Sequence, residues 1–209
     1  MNPGFLSFIL ISITLILLAS GWRRTLLGDA PVRAIAGFFV AWLAMGQIRF
    51  RLSEHATVAG AAIVLAVSVV VAAARRRSPL GLLHLVSLGL FLASVYYLLK
   101  HIGELNPFFW PNRSWSAAGL AVAAAAAMLV RRAEDQLAVV SMALLLGTFL
   151  YWRVHQQPAG AVFGNLRFQD EWWFAAACAR TMSVAGESSL ALARGASKTI
   201  AKRWRGLKK

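Results

Sequence analysis

Acidic residues are scarce in this chain: 8 Asp and Glu stand against 22 Lys and Arg, and charged residues of both signs make up only 14% of it. An ordinary soluble domain carries about 25%. So few charges cannot coat a conventional solvated surface, and the composition argues against a soluble globule. Cysteine is reduced to Cys178, which excludes an intrachain disulfide and a thiolate metal cluster and leaves a small apolar packing residue. There is no P-loop glycine pattern, no His-Glu-x-x-His, no Gly-x-Ser-x-Gly and no run of paired carboxylates. None of the common catalytic constellations is spelled out, and no catalytic residue, cofactor or metal is expected. No internal repeat is evident, which removes support for an inverted-repeat transporter.

What the chain has instead is apolar length. Hydrophobic residues make up 59% and the mean hydropathy is +0.62, so lipid is the expected solvent. Apolar runs recur between basic punctuation marks at residues 5–22, 31–47, 56–74, 79–99, 115–130, 137–152 and 172–193. At 1.5 Å per residue the first rises about 27 Å, close to the thickness of a bilayer core. A cleaved signal peptide is the rival for that first run, with Ala19-Ser20-Gly21 loosely imitating a cleavage site. The basic pair Arg23-Arg24 follows the run rather than preceding it, which favours a retained span.

The formal charge of +14 would suggest nucleic acid in a soluble protein. Here the cations gather at the ends of apolar runs and in one tail, as they do when they orient a membrane protein, and no nucleic-acid partner is expected. With seven spans and the N-terminus outside, fifteen Lys and Arg fall in inner segments and six in outer ones. The expected fold is therefore all-α: a polytopic transmembrane helix bundle of seven spans, N-terminus out and C-terminus in, a multi-pass protein of the plasma membrane. Residues 1–193 form the bundle and residues 194–209 a basic cytoplasmic tail.

The opening Met1-Asn2-Pro3-Gly4, the first span ending Ser20-Gly21-Trp22, and the late stretch Arg167-Phe168-Gln169-Asp170-Glu171-Trp172-Trp173 with Ala179-Arg180 resemble the YphA-like membrane proteins of spore-forming Gram-positive bacteria. The resemblance covers the size and spacing of the spans over nearly the whole chain. It implies a bacterial plasma-membrane protein, and it carries over no activity and no site residues.

The seventh run holds the strongest local anomaly, Arg180 and Glu187. Seven residues apart, they share a helix face about 10.5 Å apart along the axis, with Ser183 between them. Counted from Trp172, Arg180 falls near the middle of the membrane, where a charge should face the bundle or a water-filled cavity. Arg180, Ser183 and Glu187 are thus either a structural bridge between helices or a site for an anionic substrate or ion. His84, early in the fourth run, is expected as a hydrogen-bonded interior residue. His55, His101 and His155 lie near the outer face beside Glu54, Glu104, Asp170 and Glu171, where convergence of helix ends would allow zinc; independent interfacial residues are the plainer expectation. Residues 106–112, two prolines bracketing three aromatics, should lie at headgroup level. Gly119, Ala123 and Ala127 form a small-residue stripe expected to pack closely on a neighbour.

On a helical wheel, Leu190, Ala193, Ser197, Ile200, Trp204 and Leu207 share one side of the tail, with Arg194, Lys198, Lys202, Arg205 and Lys209 on an adjacent arc. Together with Arg203 and Lys208 these read as an amphipathic helix on anionic inner-leaflet lipids, with an acidic protein as the alternative partner. Three functional classes remain. The first is a non-enzymatic structural, sensing or scaffolding component. The second is a small transporter or channel for an anion or lipid headgroup, using Arg180 and Glu187. The third is a lipid- or envelope-modifying enzyme at the outer face.

Overall fold

Each apolar run of the sequence contributes a helix, and the basic punctuation falls between them, with Arg23 and Arg24 opening a short helix of their own. The computed structural model describes residues 2–53, 56–76, 78–105, 115–155 and 161–206, with side chains up to residue 189 except at 52, 53, 56, 115 and 116. Among these residues the order is α1 (Phe5–Ala19), α2 (Arg23–Leu27), α3 (Val32–Met45), β1 (Arg49–Ser53), β2 (Ala56–Ala59), α4 (Gly60–Ala74), α5 (Pro79–Leu105), α6 (Trp115–Leu129), α7 (Ala133–Val154), β3 (Val162–Phe163) and α8 (Leu166–Gly206). The fold is essentially all helix. Two helices, α5 and α7, are long and apolar enough to cross a membrane, and α1, α3, α4 and most of α6 are shorter apolar helices.

The seven longer helices alternate in direction. The start of α1 meets α8 through Gly4 and Ser7 on Asp170, and the chain just beyond α1 meets it through Thr25 on Arg180, so α1 and α8 run parallel. α7 opposes α8, since Gln136 meets Ser183 and Ser141 meets Trp172. α5 runs with α7: Gly89 lies against Met142, Tyr96 against Thr148, and Glu104 against Tyr151 and His155. α4 starts against Met45 at the end of α3 and finishes where Arg76 pairs with Asp135 at the start of α7. One end of the bundle therefore collects the α1–α3, α4–α5 and α6–α7 connections, with Arg23, Arg24, Arg33, Arg75, Arg76, Arg131 and Arg132. We call it the basic end.

The opposite end carries a three-stranded sheet where the sequence suggests only connections and the start of the run at 56–74, whose first four residues form β2 and not helix. β1 and β2 pair antiparallel, and β3, from the α7–α8 connection, adds parallel to β2. The pairing gives backbone groups partners where the chain leaves its helices, as apolar surroundings demand.

Close packing of α5 on α7 depends on Gly147. A Cβ there would lie 2.5 Å from Cδ1 of the fully buried Tyr96 and 2.9 Å from the Ala93 carbonyl oxygen. Gly147→Ala should therefore lower stability by about 1–3 kcal/mol, as overpacking does. The check is the thermal midpoint in detergent, and an unchanged midpoint would mean that the two helices separate without cost.

The flanks of the bundle are apolar. Phe8, Val40, Leu43, Val70, Leu83 and Phe91 are each more than half exposed, although water-facing proteins rarely expose contiguous apolar patches beyond a few hundred Å².

Two features of α8 differ from expectation. It is one helix of 41 residues, roughly 60 Å long, and crosses residues 193 and 194 without a break. Its buried part runs from Phe168 to Ser183, while Ala185, Gly186, Glu187, Ser188 and Ser189 are exposed. The segment packed in the bundle thus begins before Trp172 and ends well before residue 193. The shift arises because Gln169, Asp170 and Glu171 look like loop residues by polarity, yet each has a partner inside the bundle.

Candidate functional site

Successive residues of an α-helix point about 100° apart, so four or five in a row sweep the full circle. On a peripheral helix some of them must face solvent. On α8 none does between Phe168 and Trp173, because helices surround it and every direction has a neighbour. Gln169 donates from Nε2 to the Gly46 carbonyl at 3.1 Å. Asp170 accepts the backbone N–H groups of Gly4 at 2.7 Å and Ser7 at 2.6 Å. Glu171 takes the Lys100 ammonium of α5 at 3.1 Å, and the same ammonium sits 4.7 Å above the Tyr96 ring. Trp172 donates from Nε1 to Ser141 Oγ at 2.9 Å. Trp172 and Trp173 also join Phe38, Phe39 and Trp42 of α3 in an aromatic cluster, with Trp42 stacked on Trp172 at 5.2 Å.

The second polar cluster is built on Arg180, near the basic end. Its Nη1 donates to Gln136 Oε1 at 2.8 Å, and Nη2 donates to the Thr25 carbonyl. Gln136 Nε2 in turn donates to Ser183 Oγ at 2.7 Å. Gln136 is fully buried and Arg180 is 8% exposed. One guanidinium thus ties α8, the first turn of α7 and the connection after α1, and its Nε is buried with no partner among the described residues.

Two expectations change here. Arg180 belongs to the basic end and not to the middle of the bundle, because its partners lie in the α1–α3 turn and the first turn of α7. Glu187 is exposed and forms no ion pair with Arg180 among the described residues. Ser183 does join the cluster, through Gln136, a residue that the sequence did not single out. Gln136 follows Glu134 and Asp135 at the start of α7 and so reads as part of a polar helix start, although a buried amide needs partners.

The remaining candidates fall as follows. His84 is exposed, not interior, and near the start of α5 water can take the hydrogen bonds of its ring. At the sheet end, His155 Nε2 lies 3.4 Å from Glu104, its ring centroid 5.5 Å from that of His101. No group of three or more His, Cys, Asp or Glu that could hold a metal occurs among the described residues. His55, Glu54, residues 106–112, Lys208 and Lys209 lie outside the described residues, as do the side chains of Arg194, Lys198, Lys202, Arg203 and Arg205. Of the small-residue stripe, Gly119 lies against Glu171 and Ala175, and Ala123 is fully buried.

No family model, curated protein or solved structure matches the chain.

Proposed function

We propose that the protein is a multi-pass component of a bacterial plasma membrane, related to the YphA-like proteins, that acts without catalysis as a structural, sensing or scaffolding element. Seven helices cross, the N-terminus lies outside, and the basic end with the C-terminal part of α8 lies in the cytoplasm. One observation carries this: helix alternation gathers the basic clusters of three connections at the end from which α8 emerges, while large apolar side chains face outward along the flanks. Cytoplasmic loops of membrane proteins carry that excess of Lys and Arg. Helices of 15 residues such as α1 and α4 rise only about 22 Å. Against a core of about 30 Å they would thin the bilayer locally or add flanking residues to the span.

Beyond the bundle the C-terminal part of α8 carries Arg194, Lys198, Lys202, Arg203 and Arg205, and anionic lipid of the cytoplasmic leaflet would attract each of them that lies near the surface by about 1 kcal/mol. The transporter alternative has Arg180 and Glu187 line a pathway together from one face of α8, and the ties of Arg180 to Gln136 and the Thr25 carbonyl support a structural role for the guanidinium instead.

Reporter fusions test the topology. A reporter active only in the cytoplasm should work when fused after Arg77 and after Lys209, and stay silent within residues 156–164. Cytoplasmic activity at that last position overturns the arrangement.

A further inference from the structure

A cavity of about 650 Å³ lies among α1, α3, α4, α7 and α8, within the range of about 300–1,000 Å³ typical of small-molecule sites. Its walls are predominantly apolar, with Leu10 and Leu17 from α1, Phe38 and Met45 from α3, Val64 from α4 and Trp173 from α8. An apolar space this large does not hold water well, and left empty it would forfeit dispersion contacts on every wall. Three of its large apolar lining residues are exposed, Ile13 at 46% on α1, and Val67 at 55% and Val71 at 43% on α4, and Gly37, Arg75 and Thr181 are exposed as well. The mouth therefore opens on the flank of the bundle, between α1 and α4, and extends toward the basic end.

The charged lining is gathered toward the basic end: Arg75 at the C-terminus of α4, Arg180 on α8 beside Thr181, and Glu134 in the first turn of α7, while the hydroxyls of Thr14, Ser68 and Ser141 already have hydrogen-bond partners in the protein. Two cations face one carboxylate. Arg180 is more than nine-tenths buried, yet its Nε has no partner. A phosphate oxygen is a natural acceptor for a guanidinium N–H.

We propose that this cavity seats an acyl chain of one anionic phospholipid from the leaflet at the basic end, with its phosphate beside Arg75 and Arg180. The inference rests on the membrane reading above, which turns a lateral mouth toward hydrocarbon. Apolar walls take the chain, and the cationic rim selects the head.

The experiment begins with an alkaline carbonate wash of membranes holding the full chain. Release by the wash would defeat the membrane reading itself. A chain that stays is extracted into detergent, stripped of lipid and titrated with phosphatidylglycerol or phosphatidylcholine, with bound lipid counted by native mass spectrometry. One phosphatidylglycerol per chain should be retained, about tenfold more tightly than phosphatidylcholine, and Arg75→Gln should shrink that preference severalfold.

Gly37 on α3 lines the cavity, and a Cβ there meets nothing within 4 Å. Gly37→Phe should therefore fold and lose the lipid. Val67→Trp at the mouth gives an independent second variant. Retention unchanged in either folded variant places the lipid elsewhere and overturns the proposal. Equal retention of the two lipids overturns the headgroup assignment. No retained lipid on a chain that resisted the wash overturns the cavity proposal while leaving the membrane reading standing.

Discussion

Replacing Asp170 with alanine should release α1 from the bundle. The first turn of a helix leaves its N–H groups without intrahelical partners, and α1 cannot cap itself. Its N-cap is Gly4, at φ 92° and with no side chain to offer. The acceptor comes from the far end of the sequence: the two oxygens of Asp170 take the N–H groups of Gly4 and Ser7 at 2.7 and 2.6 Å. A carboxylate at the positive end of a helix, buried to 5% exposure, combines charge-assisted hydrogen bonds with the helix dipole.

Hydrogen bonds to charged groups contribute about 1.5–3 kcal/mol each, so Asp170→Ala should cost about 3 kcal/mol or more. Asp170→Asn keeps one acceptor oxygen and should cost roughly half as much. Ser7→Ala removes only a hydroxyl bonded to the Gly4 carbonyl at 2.9 Å and should cost below about 1 kcal/mol. Hydrogen exchange reads the effect locally. Amides of α1 should lose protection in Asp170→Ala while those of α5 and α7 keep theirs. Protection of α1 equal to wild type would show that its apolar face alone holds it.

The helices were legible in the sequence because apolar runs and basic stops are local signals. The runs at 31–47, 56–74 and 115–130 correspond to α3, α4 and α6 within a few residues. The partners of α8 were not legible. Arg167 to Glu171 reads as a polar loop only while its neighbours are unknown; Asp170 is answered by Gly4, and Glu171 by Lys100. Sequence separation hides such pairs, since nothing near Asp170 says that a helix with an uncapped glycine start will lie beside it. The same limit misassigned Arg180. Helical spacing correctly puts Glu187 on its face, but spacing along one helix cannot reveal that the bundle ends at Ser183 and leaves Glu187 outside. β1, β2 and β3 were missed for a related reason: each is short, and β3 pairs with a strand about a hundred residues earlier in the chain.

The Arg180 cluster yields the second large effect, expected in detergent free of added phospholipid. Gln136→Leu strips Arg180 of its Nη1 acceptor and leaves a buried cation with only the Thr25 carbonyl, at an expected cost of about 2–4 kcal/mol. Arg180→Leu leaves the Gln136 oxygen unanswered while its nitrogen still reaches Ser183. That loss should be smaller, about 1–3 kcal/mol. Together the two substitutions remove donor and acceptor and put apolar groups where polar ones met, so the double variant should be more stable than the sum of the singles by about 1–3 kcal/mol. Glu187→Leu is the control. Its carboxylate is exposed and forms no salt bridge among the described residues, so its attraction to Arg180 acts through solvent and its loss should change stability by no more than about 0.5 kcal/mol. Strict additivity of Arg180→Leu and Gln136→Leu would mean that the hydrogen bond between them carries no weight. A Glu187→Leu variant as damaged as Gln136→Leu would return Arg180 to the carboxylate on its own helix. Recovery in the double variant with a silent Glu187 would instead make the guanidinium a tie between α8, α7 and the α1–α3 turn, so its Nε could hold a ligand without the bundle having to move.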